Sequence, residues 1–276
     1  MTQHNHAEQS ELGKKSAYIT TYSPSLLYPI ARKANRNTIG VPESLPFHGV
    51  DLWTAFELSW LNTKGKPVIA IADFAIPCTS EYIIESKSFK LYLNSFNQSK
   101  FSSIEEVQHI ITKDVSAAVN EKADVKLYSV EEFSRHQIGS FEGTCIDNLD
   151  ISTDTYTIAP SFLSSKNESI VEEKLCTHLL KSNCLVTHQP DWGSLYIHYK
   201  GKKINQEGLL KYIISFRSIN EFGEQCIERI YMDLMRHCQP EKLTVYGRYT
   251  RRGGLDINPF RSNWEEPPQN TRLPRQ

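Results

Sequence analysis

The stretch Phe89-Lys-Leu-Tyr-Leu-Asn-Ser-Phe96 and its echo Leu209-Leu-Lys-Tyr-Ile-Ile-Ser-Phe216, at an offset of 120 residues, decide the fold. Phe89, Leu93 and Phe96 stand at i, i+4 and i+7, as do Leu209, Ile213 and Phe216, which is the apolar stripe of a helix packed along one face. A pattern that recurs at such an interval means that one unit occurs twice. Each stripe is followed by a second amphipathic segment: Ile104, Val107, Ile110, Ile111 and Val115 in the first copy, Ile227, Ile230, Tyr231 and Leu234 in the second. The helices therefore come in pairs, and their apolar positions read as core. Alternating strand candidates flank each pair, Ala55 to Trp60 and Val125 to Ser129 in one copy, Ser194 to Tyr199 and Leu243 to Gly247 in the other. Antiparallel strands with paired helices gathered on one face make an α+β protein.

With 276 residues the chain accommodates about two such units. Its 31 Lys and Arg against 32 Asp and Glu leave a net charge of -1, which argues against a nucleic-acid partner. The opening thirty residues hold no apolar run, and the longest one in the chain, Val68 to Ala72, is far too short to span a bilayer. The expectation is a cytoplasmic protein without a membrane segment. Six cysteines (78, 145, 176, 184, 226 and 238) form no CxxC pair and read as buried or reactive thiols rather than disulfides. The boundaries expected are an N-terminal arm at 1–45, a first module at 46–133, a connector rich in Ser, Thr and Asn at 134–169, a second module at 170–264, and a loosely ordered polar tail at 265–276.

Several segments carry chemistry. In Ser182-Asn-Cys-Leu-Val-Thr-His-Gln-Pro-Asp-Trp-Gly193, Cys184 and Asp191 lie seven apart with a bend at Pro190, so they can converge on one pocket. Spacing alone favours a plainer account, a small buried Cys184 and a turn-forming Asp191. Cys176, His178, Cys184 and His188 form a tempting ligand set, but their spacing matches no usual zinc pattern, and Cys176 to Lys181 looks like a helix end; no metal is expected. Ser86 reads as the N-cap of the first helix with Lys87 in its opening turn, where free backbone N–H groups suit a phosphate. Arg251 and Arg252 precede a turn-forming glycine pair, and Glu224 is either a first-turn acid or an acceptor for a guanine-like edge. No GxGxxG or Walker loop is present.

Taken together, ESKSFKLYLNSF at 85–96, SNCLVTHQPDWGSLYIHY at 182–199, NEFGEQCIERI at 220–230 and YGRYTRRGGLDINPFRSNW at 246–264 resemble the NADPH-dependent 7-cyano-7-deazaguanine reductases of queuosine synthesis, the QueF family, in its long two-module form. The resemblance spans most of residues 15 to 264. It implies tandem modules of the tunnelling fold, shared with GTP cyclohydrolase type I. It also implies a homodimer and one deazapurine substrate per working site. Cys184 would attack the nitrile carbon to form a thioimide, Asp191 would handle the proton, and two hydrides from NADPH would complete the reduction. Protonation of Asp191 near neutral pH requires burial to raise it. Ile84, Glu85, Ser86 and Glu224 would bind the deazaguanine, and Ser86, Lys87, Arg252 and Gly253 would contact NADPH. The chain departs from the pattern at Gly223, where family members generally have a substrate-contacting histidine. Glu85-Ser86-Lys87 becomes Asn205-Gln206-Glu207 in the second copy, so one site per chain is expected. Two rivals fit the same residues: a thioimide-forming hydrolase and a noncatalytic purine or pterin binder.

Overall fold

The computed structural model describes residues 18–185 and 187–276; the start of the expected arm, including the first seventeen residues of the region searched for an export signal, lies outside them. In chain order the main elements are β1 (Pro29–Ala31), α1 (Arg32–Ile39), β2 (His48–Leu61), β3 (Pro67–Pro77), β4 (Tyr82–Ile84), α2 (Ser86–Asn94), α3 (Ile104–Val119), β5 (Asp124–Tyr128) and α4 (Val130–Phe133). The second half contributes β6 (Thr144–Cys145), β7 (Ser165–Asn183), β8 (Pro190–Ile204), α5 (Gln206–Ile214), α6 (Gly223–His237), β9 (Lys242–Tyr249) and β10 (Leu255–Ser262).

The repeat is real down to its hydrogen bonds. Tyr92 donates to Asp114 Oδ2 at 2.7 Å, tying α2 to α3, and Tyr212 donates to Asp233 Oδ2 at 2.7 Å, tying α5 to α6. Ser95 and Ser215 each cap their helix by donating to the Tyr92 and Tyr212 carbonyls at 2.6 Å. Phe89, Leu93 and Phe96 are buried against β2 and β3, while Leu209, Ile213 and Phe216 are buried against β7, β8 and β9. Burial of this kind stabilises by roughly 1.5–3 kcal/mol per large side chain.

The two units share one eight-stranded sheet in the order β5-β3-β2-β10-β9-β8-β7-β6, antiparallel except for the β6–β7 edge pair. β10 joins them, with Leu255 to Ser262 paired along β2 and Phe260 to Ser262 also paired with β9. The α+β architecture with doubled modules therefore stands as expected. Among the described residues no helix is long and apolar enough to cross a membrane.

Two expectations are corrected. Cys176 to Lys181 is the interior of β7, not a helix end; a register shift between Thr177 and Leu180 breaks the strand's alternation and mimics a helical pattern. The tail is not loose. The Gln276 side chain is buried, accepting from Arg248 Nε at 2.5 Å and the Leu273 N–H at 3.0 Å, and donating to the Tyr249 carbonyl at 3.0 Å and Asn258 Oδ1 at 2.7 Å. The described part of the arm is also woven in: β1 pairs with β4, and Arg36 of α1 reaches Glu228 of α6 at 2.7 Å.

Candidate active site

Strand β7 delivers Cys184 at its end. The Cys184 N–H donates to the Gln189 carbonyl at 2.9 Å and its own carbonyl accepts from the His188 N–H at 3.1 Å, closing a tight loop in which His188 takes φ +55°. The chain returns as β8 with Ser182 opposite Asp191, so Cys184 and Asp191 line the same cavity, as the seven-residue spacing allowed. Asp191 is held by the Arg252 guanidinium, which also reaches Gln189 Oε1 at 3.2 Å and lies near enough to Cys184 for its charge to act there. Arg252 owes its position to the Gly253-Gly254 turn between β9 and β10. Both glycines have positive φ, +61° and +80°, the geometry of a two-residue hairpin that side chains resist.

The start of α6 is brought in by backbone. The Asn183 N–H donates to Ile219 at 2.7 Å and the Glu221 N–H to Asn183 at 3.1 Å, which seats Gly223 and Glu224 beside the Cys184 loop. The first module supplies Ile84 from β4 and Ser86 and Lys87 from α2. These residues of both modules line one cavity of about 300 Å³ together with Cys184, Asp191, Arg252 and Gly253.

Glu85 stands one layer back, only 1% exposed. It, not Ser86, is the N-cap of α2: its carboxylate accepts from the Lys87 N–H at 2.7 Å and the Ser88 N–H at 2.8 Å. The strand β4 ends at Ile84, so the helix turns one residue earlier than a serine cap requires. The backbone donors expected to be open to a phosphate are thus already engaged. The side chains of Ser86, Lys87 and Arg252 line the cavity at this corner, two of them cationic.

Three acids at the site, Asp191 partly and Glu85 and Glu224 fully buried, differ in their surroundings. Burial raises Asp191 from its ordinary value while Arg252, and then Lys181, oppose the rise. Burial raises Glu85, opposed by the N–H groups it caps. Burial, reinforced by the Asp51 carboxylate, pushes Glu224 up to about 7, with Arg32 and Arg261 opposing. Behind Glu224 lies an ion network absent from the sequence reading. Asp51 meets Arg32 at 2.6 Å and Arg261 at 2.8 Å, and Arg261, fully buried, meets Glu228 at 2.9 Å. The signal for it was there, an aspartate inside the apolar run Val50-Asp-Leu-Trp53. Tyr249, which lines the cavity next to Gly223, was also missed.

The ligand set considered in the sequence is not assembled as one group: Cys184 and His188 sit in the loop at the far end of β7, whereas His178 faces Cys145 and Asp147.

Fold and cavity define a two-module α+β protein with a cavity of small-molecule size lined by residues of both modules. Residues 18–127 match the family model described as "Nitrile reductase, 7-cyano-7-deazaguanine-reductase N-term", and residues 190–268 match "QueF-like protein". A protein of Ralstonia nicotianae called "NADPH-dependent 7-cyano-7-deazaguanine reductase" is 57% identical over 276 residues, covering 99% of this chain and 100% of the relative. One of the same name from Cupriavidus necator is 57% identical over 273 residues, covering 98% and 99%. The chain belongs to the 7-cyano-7-deazaguanine reductase (QueF) family.

Proposed function

We propose that this chain reduces the nitrile of 7-cyano-7-deazaguanine to the primary amine at the expense of NADPH, as a step of queuosine synthesis. The observation that carries the reading is the convergence of Cys184, Asp191 and Arg252 from one module with Ser86 and Lys87 from the other around a single cavity.

Each residue then has a task. Cys184 Sγ adds to the nitrile carbon as the thiolate while the nitrogen takes a proton from Asp191; the proton given up by the thiol restores the Asp191 acid, so the thiol is added in net across the C≡N bond and a thioimide results. Arg252 puts positive charge beside the sulfur, where negative charge resides at the moment of attack. Glu224 meets the donor edge of the deazaguanine, Ile84 packs on its face, and Glu85 holds the α2 terminus on which Ser86 and Lys87 are mounted. NADPH, when bound, supplies the hydrides. Two hydrides and two protons in all would convert nitrile to amine, with the C–S bond broken and the Cys184 thiol returned.

The test follows NADPH absorbance with purified protein and the nitrile, alongside intact-mass analysis without NADPH. Wild type should gain the substrate's mass and turn over. Cys184→Ala should do neither while remaining folded, since one small buried side chain replaces another. Adduct formation without NADPH consumption points instead to hydrolysis, and an adduct on the alanine variant removes Cys184 from the role.

A further inference from the structure

The far edge of the sheet carries a second cluster of chemistry-bearing side chains. Strand β6 runs parallel to β7 with Cys145 opposite Cys176, so Cys145-Ile-Asp147 and Cys176-Thr-His178 lie side by side. Ligand atoms of Cys145, Asp147 and His178 all fall within 4.8 Å of one another. His178 is six residues before Cys184 in sequence, roughly 20 Å along an extended strand, so this cluster is separate from the catalytic cavity.

The side chains are held in place. The Asp147 carboxylate accepts from Thr177 Oγ1 at 2.6 Å and from the His178 N–H at 3.0 Å, which fixes it against β7. His178 Nδ1 is 2.8 Å from Ser194 Oγ on β8, which sets the ring's orientation through one nitrogen and leaves the imidazole its second. Cys145 is exposed, and its thiol contacts that of Cys176 behind it. Outer contacts of this kind, to the carboxylate and to one imidazole nitrogen, are what orient ligands at protein metal sites.

We propose that Cys145, Asp147 and His178 form a binding site for a divalent transition-metal ion of the zinc type. One sulfur, one imidazole nitrogen and one carboxylate oxygen form a mixed donor set that suits Zn²⁺ and Co²⁺, whereas Mg²⁺ and Ca²⁺ prefer all-oxygen shells. A ligand shell of three side chains leaves a fourth position to water. Closing the cluster onto one ion requires only small side-chain rotations, because tetrahedral ligands about 2.0–2.3 Å from zinc stand somewhat closer to each other than these do.

The experiment uses full-length protein, stripped with chelator, kept reduced and titrated with Co²⁺ under absorbance. Wild type is expected to take about one ion per chain with a thiolate-to-cobalt charge-transfer band, to exchange it for Zn²⁺, and to retain it in excess Mg²⁺. Cys145→Ser should abolish the band, and Asp147→Asn and His178→Ala should each weaken binding about tenfold to a hundredfold. Cys184→Ala should keep the band, and Cys145→Ser should keep wild-type reductase activity. No band in wild type, a band that survives Cys145→Ser, or one lost in Cys184→Ala would each overturn the assignment. His178→Ala and Asp147→Asn keep the test decisive should the serine variant fold poorly, with thermal melts as the check.

Discussion

The guanidinium of Arg252 closes on the carboxylate of Asp191, 61 residues earlier in the chain, and so binds the proposed proton donor to a residue proposed to meet the cofactor in the same cavity. Burial pushes Asp191 towards its protonated form and Arg252 pulls it towards the ionised one. Removing the arginine leaves burial less opposed, so the folded-state pKa rises further and the acid keeps its proton to higher pH. In Arg252→Gln, the alkaline limb of adduct formation should therefore move to higher pH, while the KM for NADPH rises by about tenfold or more with the loss of a charge-assisted contact. Stopped-flow adduct formation across pH reads the first effect and steady-state kinetics the second. A limb that stays in place removes Asp191 as the donor.

Glu224 gives a second pH dependence with its own sign. It is raised to about 7 in the folded protein, above an unfolded value of about 4.3, so the native state binds the extra proton between those limits. Stability from this group is thus fullest at low pH and falls as pH rises towards 7. Recognition runs the other way, because only the ionised carboxylate accepts from two donors of a guanine-like edge. Substrate affinity should drop as pH falls through about 7, and Glu224→Gln should bind weakly with a flat profile. Calorimetric Kd values from pH 5.5 to 8.5 decide it; a wild-type profile as flat as the variant's excludes Glu224 from the contact.

The buried Gln276 amide bonds four groups of the sheet and its turn, among them the Arg248 guanidinium. Gln276→Ala would leave those groups short of partners in a dry setting. A loss of about 2–4 kcal/mol is expected, at roughly 1 kcal/mol per neutral bond and more for the charged one. Chemical denaturation measures it, and a loss within about 0.5 kcal/mol, the range of ordinary surface substitutions, contradicts the anchoring role.

What the sequence made legible was local. The helix pairs announce themselves because Phe89, Leu93, Phe96 and their counterparts at Leu209, Ile213 and Phe216 complete an apolar face within a few turns. Cys184 and Asp191 could be placed together because a short loop joins their strands. Non-local pairing was harder to see. Strand β10 sits between β2 and β9 although it carries Pro259, which argues against a central strand, and it is tolerated next to the point where pairing with β9 begins at Phe260. The tail's polar composition hid the anchor at Gln276, and the Asp51–Arg261–Glu228 network joins three separate elements. The helix cap was misplaced by one residue because serine is the better capping residue by type, whereas the chain's exit from β4 decides in favour of Glu85.

The last prediction turns on Gly223, the first residue of α6, which lines the cavity where the family pattern has histidine. A glycine there supplies no side-chain donor or acid and starts the helix with a poor helix former, at up to about 1 kcal/mol relative to alanine. Its backbone lies outside the left-handed region, so a side chain is permitted by conformation. Space is tighter: a Cβ would stand 3.1 Å from Tyr249 Cε2 and 3.4 Å from Cδ2, so that ring must give by a few tenths of an ångström. The ring of Tyr249 thus partly fills the room a longer side chain would take. Positioned acid–base groups contribute about a hundredfold to ten-thousandfold in rate, and the strain on Tyr249 should hold the gain to the bottom of that range or below it. Gly223→His is expected to speed reduction by about tenfold to a hundredfold while leaving adduct formation nearly unchanged, and Gly223→Ala, which meets the same ring without an imidazole, should bring no gain. Single-turnover reduction of preformed adduct compares the three proteins directly. A histidine variant no faster than wild type would mean that water or another side chain already moves the proton, and equal gains in both variants would assign the effect to the helix start rather than to the imidazole.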